Sequence, residues 1–408
     1  MKAINTFIWT AALAIVLAPV PAHAGLITPG DIVVERIGDG STTLSGAAAP
    51  VFVDEYTTAG VFKQSIPMPT SASGAQLALT DSGSATSDGY LNVSLNGKFI
   101  TVPGYNATVG TASVASAAGI TRVIGRVDLG GNVDTSTNFG GTGANAFAGN
   151  NFRSAFSTDG TTIWGSGTAT AAANAGVWTI QFGTTGGSQV STTSGSPVLT
   201  NVRVLEGFGP QLYVSNSTAT TGLQSGVNAV GSGYPTSSGN PLTNLPGLDN
   251  NITGGGNSSP YDFFFAKLSP LSSGFDTAYV ADDGATVAAG IAKFSLVGGS
   301  WVFNNKIGVS GDAYRGLTGL VNADGSVSLY ATRQSGAAQG IVALTDTSGF
   351  NANDNGTPNL IVPLATNTAF RGIDLIPVMV PEPSTFLLAI VAAGGAVAMR
   401  RRARLRGE

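Results

Sequence analysis

Phe152-Arg-Ser-Ala-Phe156, Val202-Arg-Val-Leu205, Tyr314-Arg-Gly-Leu-Thr318 and Phe370-Arg-Gly-Ile-Asp374 share one plan: an apolar or aromatic residue, an arginine, then a strand-forming run. Phe263-Phe-Phe-Ala-Lys267 reads as a fifth copy whose cation is displaced by two positions. Four of these segments are followed by a turn and a second strand, at Thr161–Trp164, Gln211–Val214, Ala278–Ala281 and Ser328–Ala331. Asp159-Gly160, Gly209-Pro210 and Asp324-Gly325 supply the turn chemistry. A third strand opens on glycine at Gly176–Phe182, Gly290–Leu296 and Gly340–Leu344. A less regular copy holds Gln76–Leu79, Lys98–Val102 and Thr121–Val127. The unit is about 50–75 residues with about four strands, the spacing of propeller blades and too long for a solenoid rung or a sandwich strand.

The ends of the series decide its closure. Phe370–Pro377 begins a unit that has no following partners, while Asp31–Glu35, Val51–Asp54 and Val61–Ile66 are three strands lacking a first one. Pairing the two deficits in one blade closes a ring and removes open sheet edges. The expectation is an all-β, closed β-propeller of about six four-stranded blades. Their first strands fall near 76, 152, 202, 262, 314 and 370, and the 75–150 stretch is long enough for a seventh blade. Gly/Asn/Ser/Thr-rich stretches at 137–151, 165–175, 184–197, 216–260 and 346–359 read as loops on the two faces. The longest, 216–260, reads as a surface insertion in preference to a functional lid.

Composition removes most catalytic classes. The chain has no cysteine and one histidine, His23, which lies in the leader described below. Ser-His-Asp and Cys-His triads, histidine bases and His/Cys zinc sites are therefore excluded from the mature chain. Residues 25–380 carry 13 Lys and Arg against 21 Asp and Glu, a net charge of −8. With no basic cluster on that body, nucleic acid is not an expected partner. A hydrophobic fraction of 42% with regular Val, Ile, Phe and Tyr runs argues for folded sheet over disorder.

Both ends of the chain carry processing signals. Lys2, the apolar run Phe7–Val20 and Ala22-His23-Ala24 fit a signal peptide cleaved before Gly25. At the other end stand Pro381-Glu382-Pro383, an uncharged run Phe386–Met399, and Arg400, Arg401, Arg402, Arg404 and Arg406. That run alone makes a helix of about 21 Å, short of the roughly 30 Å hydrocarbon core, and Pro381 and Pro383 block its continuous extension. The arginines favour the cytoplasmic side, which leaves 25–380 outside. A buried core helix with a solvated basic tail is the alternative, and soluble core helices rarely end in such a cluster.

Polar Pro-Glu-Pro motif, apolar stretch and arginine cluster in that order resemble the PEP-CTERM sorting signal of bacterial exosortase substrates. The resemblance covers about 28 of the 408 residues. It implies an exosortase-type, transpeptidase-like membrane enzyme as partner, which recognises the tail and removes it near Pro381–Pro383. It also implies a producer that makes exopolysaccharide. The expected organisation is a signal peptide with its helix over 1–24, an ectodomain over 25–377 and a sorting signal over 378–408. The signal's membrane helix spans about 384–399, followed by an Arg-rich tail at 400–408. The expected route is export, anchoring in the inner membrane by the C-terminal helix, then the cell surface or medium.

Local chemistry is sparse. Asn351, Asn353 and Asp354 place oxygens at alternate positions before Gly356, as a calcium loop does, but Val362 stands where a bidentate glutamate is needed. An ordinary Asn-rich turn is the favoured reading, so calcium is a weak candidate and no other cofactor is indicated. Arg153, Arg203, Arg315 and Arg371 recur on equivalent inner strands. They would either form a cationic channel ring for an anionic sugar or carboxylate, or pair with local acids such as Asp374 or Glu206. Two function classes follow. One is a non-catalytic surface or extracellular-matrix protein of a biofilm, with extracellular polysaccharide as partner. The other is a propeller hydrolase or lyase acting on carbohydrate through carboxylate, Tyr or Arg groups. No spacing positions a nucleophile or base, which favours the first.

Overall fold

The structure, a computed structural model, describes residues 25–378 apart from 142–145, 192–200, 218–222, 224, 250–257, 285–289, 309–310 and 336–337. The signal-peptide residues Ala22 and Ala24 lie outside these. So do the tail residues Pro381, Glu382, Pro383, Arg400, Arg401 and Arg402. The described residues contain no helix long and apolar enough to cross a membrane.

Strand follows strand, each hydrogen-bonded antiparallel to its neighbour. Four separate four-stranded sheets recur along the chain. The first holds β9 (Phe152–Ser157), β10 (Thr162–Gly167), β11 (Gly176–Gln181) and β12 (Ser188–Gln189). The second holds β13 (Val202–Phe208), β14 (Gln211–Asn216), β15 (Gly226–Val230) and β16 (Leu242–Asp249). The third holds β17 (Pro260–Ala266), β18 (Thr277–Asp282), β19 (Gly290–Val297) and β20 (Ser300–Ile307). The fourth holds β21 (Ala313–Val321), β22 (Val327–Ser335), β23 (Gly340–Asp346) and β24 (Asn359–Pro363).

The remaining sheet has nine strands. In it β25 (Ala369–Leu375) pairs with β1 (Ile32–Ile37), β1 with β2 (Ala48–Tyr56), and β2 with β3 (Phe62–Pro67). A second path runs through β5 (Asn92–Val93), β6 (Phe99–Tyr105), β7 (Arg122–Asp128) and β8 (Val133–Asn138). β4 (Thr80–Ser82) joins the two paths by pairing with both β2 and β6.

The result is a β-propeller. Inner strands touch in sequence, β5 to β9, β9 to β13, β13 to β17, β17 to β21, β21 to β25, and β25 back to β5. The expected closure is present: Ile32 faces Leu375 and Val34 faces Ile373 across β1 and β25. Apolar clusters fill the spaces between adjacent sheets. Tyr279 and Ile291 pack with Leu317, Leu329 and Val342, while Tyr330 and Ile341 pack with Ile32, Val34 and Ile373. Burial of these layers, together with aromatic stacks such as Phe265 on Trp301 at 5.5 Å, holds the ring.

Three expectations need correction. Gln76–Leu79 is not the first strand of its unit; Gln76 sits in an isolated bridge with Ser73, and the inner position belongs to β5 and the preceding Tyr90-Leu91. The 216–260 stretch is not one long insertion, because it contains β15 and β16. Their Gly, Asn and Pro content hid them, since these residues are depleted in strands and tertiary pairing overrode that preference. Lys267 is not a displaced copy of the recurrent arginine. β17 starts three residues earlier than its aromatic run suggested, so Tyr261 takes the arginine position and Lys267 lies exposed beyond the strand's other end.

Candidate functional site

The inner strands carry a repeated irregularity. Opposite β14, β18, β22 and β1, two residues face one: Arg203-Val204, Tyr261-Asp262, Arg315-Gly316 and Arg371-Gly372. In β9, Arg153 is the unmatched residue. Such bulges re-aim a side chain and free a backbone N–H. In two copies a hydroxyl from the neighbouring strand accepts that N–H: Ser215 Oγ from Val204 at 3.0 Å and Thr332 Oγ1 from Gly316 at 2.9 Å.

The bulges bring Arg153, Arg203, Arg315, Arg371 and Tyr261 to one level, where Tyr90 joins them from the segment before β5. Tyr90, Val204 and Tyr261 form a buried cluster that fills the channel there, with the two tyrosine rings 5.7 Å apart. The Arg203 guanidinium lies 3.8 Å from the Tyr261 ring centre and that of Arg315 4.7 Å.

The four arginines therefore converge, but the acids expected to pair with them do not reach them. Glu206 and Asp374 line the opposite mouth. Instead Arg315 makes a close pair with Asp283, 2.7 Å from Nε, and Arg203 is 3.9 Å from the same carboxylate. Arg153 donates to Asn201, and Arg371 to Gly83 O and Gln334. Burial, then the like charge of Arg203, pulls the pKa of Arg153 down. Arg153 and Arg203 are each 8% exposed and Arg371 1%, so this level is an interior layer rather than an open binding face.

Behind Arg371 lies an acidic group that no motif announced. Glu35, Asp81 and Asp88 are fully buried, and neither Glu35 oxygen has a hydrogen-bond partner. Burial pushes the Glu35 and Asp81 carboxyls well up, with the neighbouring Asp88 charge adding to the rise in both and Arg371 opposing it. Gly89 makes room for them: at φ +80°, a Cβ there would stand 2.7 Å from Glu35 Oε1 and 3.0 Å from Asp81 Oδ2. Asp88 accepts from Tyr105 and Asn151, each at 2.6 Å, yet burial still raises it to about 6.

At the other mouth a cavity of about 570 Å³ opens, with lining residues from β5, β9, β13, β17, β21 and β25. Phe156, Phe208, Phe263, Phe264 and Phe275 make it aromatic, and Ser94, Glu206, Thr318 and Asp374 are its polar side chains. Asp374 is committed to structure: it accepts from Val93 N at 2.7 Å, Leu375 N at 2.7 Å and Thr318 Oγ1 at 2.8 Å. Asp262, beneath it, accepts from Phe263 N and Leu317 N. These bonds tie neighbouring inner strands together. Glu206 is the remaining acid, and burial followed by the Asp262 and Asp374 charges pushes its carboxyl well above the usual range. When protonated, a carboxyl beside aromatic walls can donate one hydrogen bond to an uncharged ligand.

The calcium candidates form a tight turn against β20. Asp354 N donates to Asn305 Oδ1 at 2.6 Å, Asn305 Nδ2 returns a bond to Asp354 O, and Asp354 Oδ1 accepts from Gly356 N. Asn351 adopts φ +50° and donates its N–H to Ser295. Asn353 lies in the same turn. Among the described residues no group of three or more Asp, Glu, His or Cys could hold a metal ion.

These acids set a pH dependence. A carboxyl whose folded pKa is raised binds its proton more tightly folded than unfolded, so stability falls as pH rises from about 4 through the folded value. Asp88 and Asp374 both stand at about 6. Thermal melts should therefore show a higher Tm at pH 5 than at pH 7.5, with Asp88 alone contributing about 1.4 kcal/mol in total between those two pH values. A lower Tm at pH 5 would contradict this assignment.

No protein-family model matches the chain, and no curated protein matches it. Among solved structures it is similar to a putative 6-phosphogluconolactonase from Bacteroides uniformis, at 15% identity over 80% of this chain and 81% of that one, with a TM-score of 0.41. It is also similar to AofleA from Arthrobotrys oligospora, at 13% identity over 88% and 92%, TM-score 0.42. A third likeness is to the parainfluenza virus 5 hemagglutinin-neuraminidase ectodomain, at 11% identity over 83% of each chain, TM-score 0.43. None of these likenesses assigns an activity to this chain.

Proposed function

We propose that this chain is an exported, non-catalytic surface or extracellular-matrix protein, with a six-bladed propeller as its working part. One observation carries the reading: Pro381-Glu382-Pro383, the uncharged Phe386–Met399 and the arginines from Arg400 onward stand in the order of a PEP-CTERM signal. The leader ending at Ala24 supports it. So does the position of Val378, which is 65% exposed three residues before the motif, where a processing enzyme could reach the chain. Six blades follow from reading the nine-stranded sheet as two, β25-β1-β2-β3 and β5-β6-β7-β8, with β4 as a link. The ligand class that suits the matrix role is the producer's own extracellular polysaccharide, bound on the loop-bearing faces.

Deleting 381–408 tests the reading. The account expects the propeller to fold and to leave the membrane fraction for the periplasm or medium, detected by immunoblot of fractionated cells. An unchanged, membrane-retained product would overturn it.

A second reading has one observation in its favour: Glu206 and Asp374 line the same channel mouth, as a pair of glycosidase carboxylates would. Against it, Asp374 is held by three hydrogen bonds within the scaffold. Turnover of polysaccharide that is abolished in Glu206→Gln would establish the enzyme reading instead.

A further inference from the structure

Among the described residues, exposed large apolar side chains gather at one end of the ring. Inner strands run from the arginine level toward the cavity, so the turn after each inner strand lies on the cavity face. Phe62, Leu95, Leu271, Val297, Leu320 and Val378 all lie at turns or strand ends of that face, and Leu271 is 95% exposed. Val109, in the β6–β7 loop, is the exposed large apolar residue among the described residues of the arginine-end loops. Large apolar groups gathered on one face mark a contact surface. Charge on the same face is mixed, with Lys63, Lys98 and Lys267 exposed beside Asp159 and Asp324. Apolar area rather than net charge must then carry the contact.

The course of the chain indicates what covers this face. Val378 lines the cavity mouth and is the last described residue. The uncharged run begins eight residues later, at Phe386. Eight residues span at most about 28 Å when fully extended. A bilayer holding that run is thus kept within about 28 Å of the apolar face, at high effective concentration.

We propose that the cavity face of the propeller rests on the bilayer that holds its own C-terminal segment, with Leu271, Leu320 and Phe62 at the lipid interface. This rests on the reading of 386–399 as a membrane segment. Before processing, the arginine-level loops would point away from the membrane; after the tail is removed, the apolar face would be uncovered as the protein leaves.

The absence of cysteine makes the test direct, because Leu271→Cys and Val109→Cys each give one labelling site on an exposed residue. The full chain, labelled with a fluorophore and reconstituted into phosphatidylcholine vesicles containing nitroxide-headgroup lipid, is washed with alkaline carbonate and its fluorescence read. The expected result is retention in the vesicles with loss of fluorescence from the 271 label and none from the 109 label, unchanged by added salt. Retention with equal fluorescence from both labels would overturn the docked face while leaving the membrane segment standing. Release by carbonate would remove the segment reading and the docked face with it. Label-to-label excimer signal at 271 without lipid quenching would overturn the proposal in favour of a second copy of the chain.

Discussion

A chain that ends at Thr368 is expected to lose its folded state altogether, although of the strands among the described residues it lacks only β25. β25 is an inner strand held on two sides: it hydrogen-bonds to β1 and packs against β21. Its Phe370, Arg371 and Ile373 are buried, and Thr332 donates to Arg371 O at 2.8 Å. Removing it leaves β1 as an open edge, uncovers the layer formed by Ile32, Val34, Tyr330 and Ile341, and opens the ring. The loss exceeds the about 5–15 kcal/mol by which a domain is stable. Circular dichroism melts should show no cooperative transition, and gel filtration should show aggregate. The same chain ended at residue 380 keeps β25 and should melt as the intact protein does. A cooperative transition in the Thr368-terminated chain would mean the ring does not depend on its closing strand.

The second large effect is expected at Lys293. Its ammonium on β19 meets Asp346 Oδ2 at 2.6 Å, Ser348 Oγ at 2.7 Å and Gly349 O at 2.7 Å, linking two adjacent sheets. Both side chains of the ion pair are fully buried. Burial alone would raise the Asp346 carboxyl, but hydrogen bonds from Lys293, Ser348 and Tyr279 outweigh it and hold the pKa below the ordinary value. Lys293→Met strands that carboxylate without its cation, which costs about 3–5 kcal/mol. Denaturant titration should show a lower midpoint with an unchanged slope. Adding Asp346→Asn to Lys293→Met should recover part of the loss, because the stranded charge is then gone. A single variant as stable as the parent would show that the pair contributes nothing to joining the sheets.

Residue chemistry explains which parts of this architecture were legible from sequence. Strands β9, β13, β21 and β25 were visible because each opens with an aromatic or aliphatic residue and an arginine before a turn. Closure was visible because unmatched strands remained at both ends. Apart from β3, read as Val61–Ile66, fourth strands were not: β12 has two residues, and β24 reads as a short run between a turn and Pro363. An outer strand has one hydrogen-bonded neighbour and an exposed face, so its sequence is weakly constrained.

The channel was legible in one respect and hidden in another. The recurrent arginines do converge, because one repeated bulge aims all of them inward. Their partners were not legible. Asp283 and Tyr90 stand at no fixed spacing from the arginines, Tyr261 holds the arginine position in a copy whose start was misplaced, and Glu35 and Asp81 meet only through the pairing of β1, β2 and β4. Carboxylates buried for structure look the same in sequence as carboxylates kept for chemistry. Asp374 illustrates this: it follows the Phe370-Arg motif and lines a cavity, yet its oxygens are taken up by Val93, Leu375 and Thr318.

Export and tail processing stand at the centre of this account, and the termini of the native product test them most directly. Intact mass and terminal sequencing of the protein recovered from producing cells should give a chain that begins at Gly25 and lacks the arginine cluster, in the surface or extracellular fraction. A chain carrying both Met1 and Glu408 in the cytosolic fraction would contradict it.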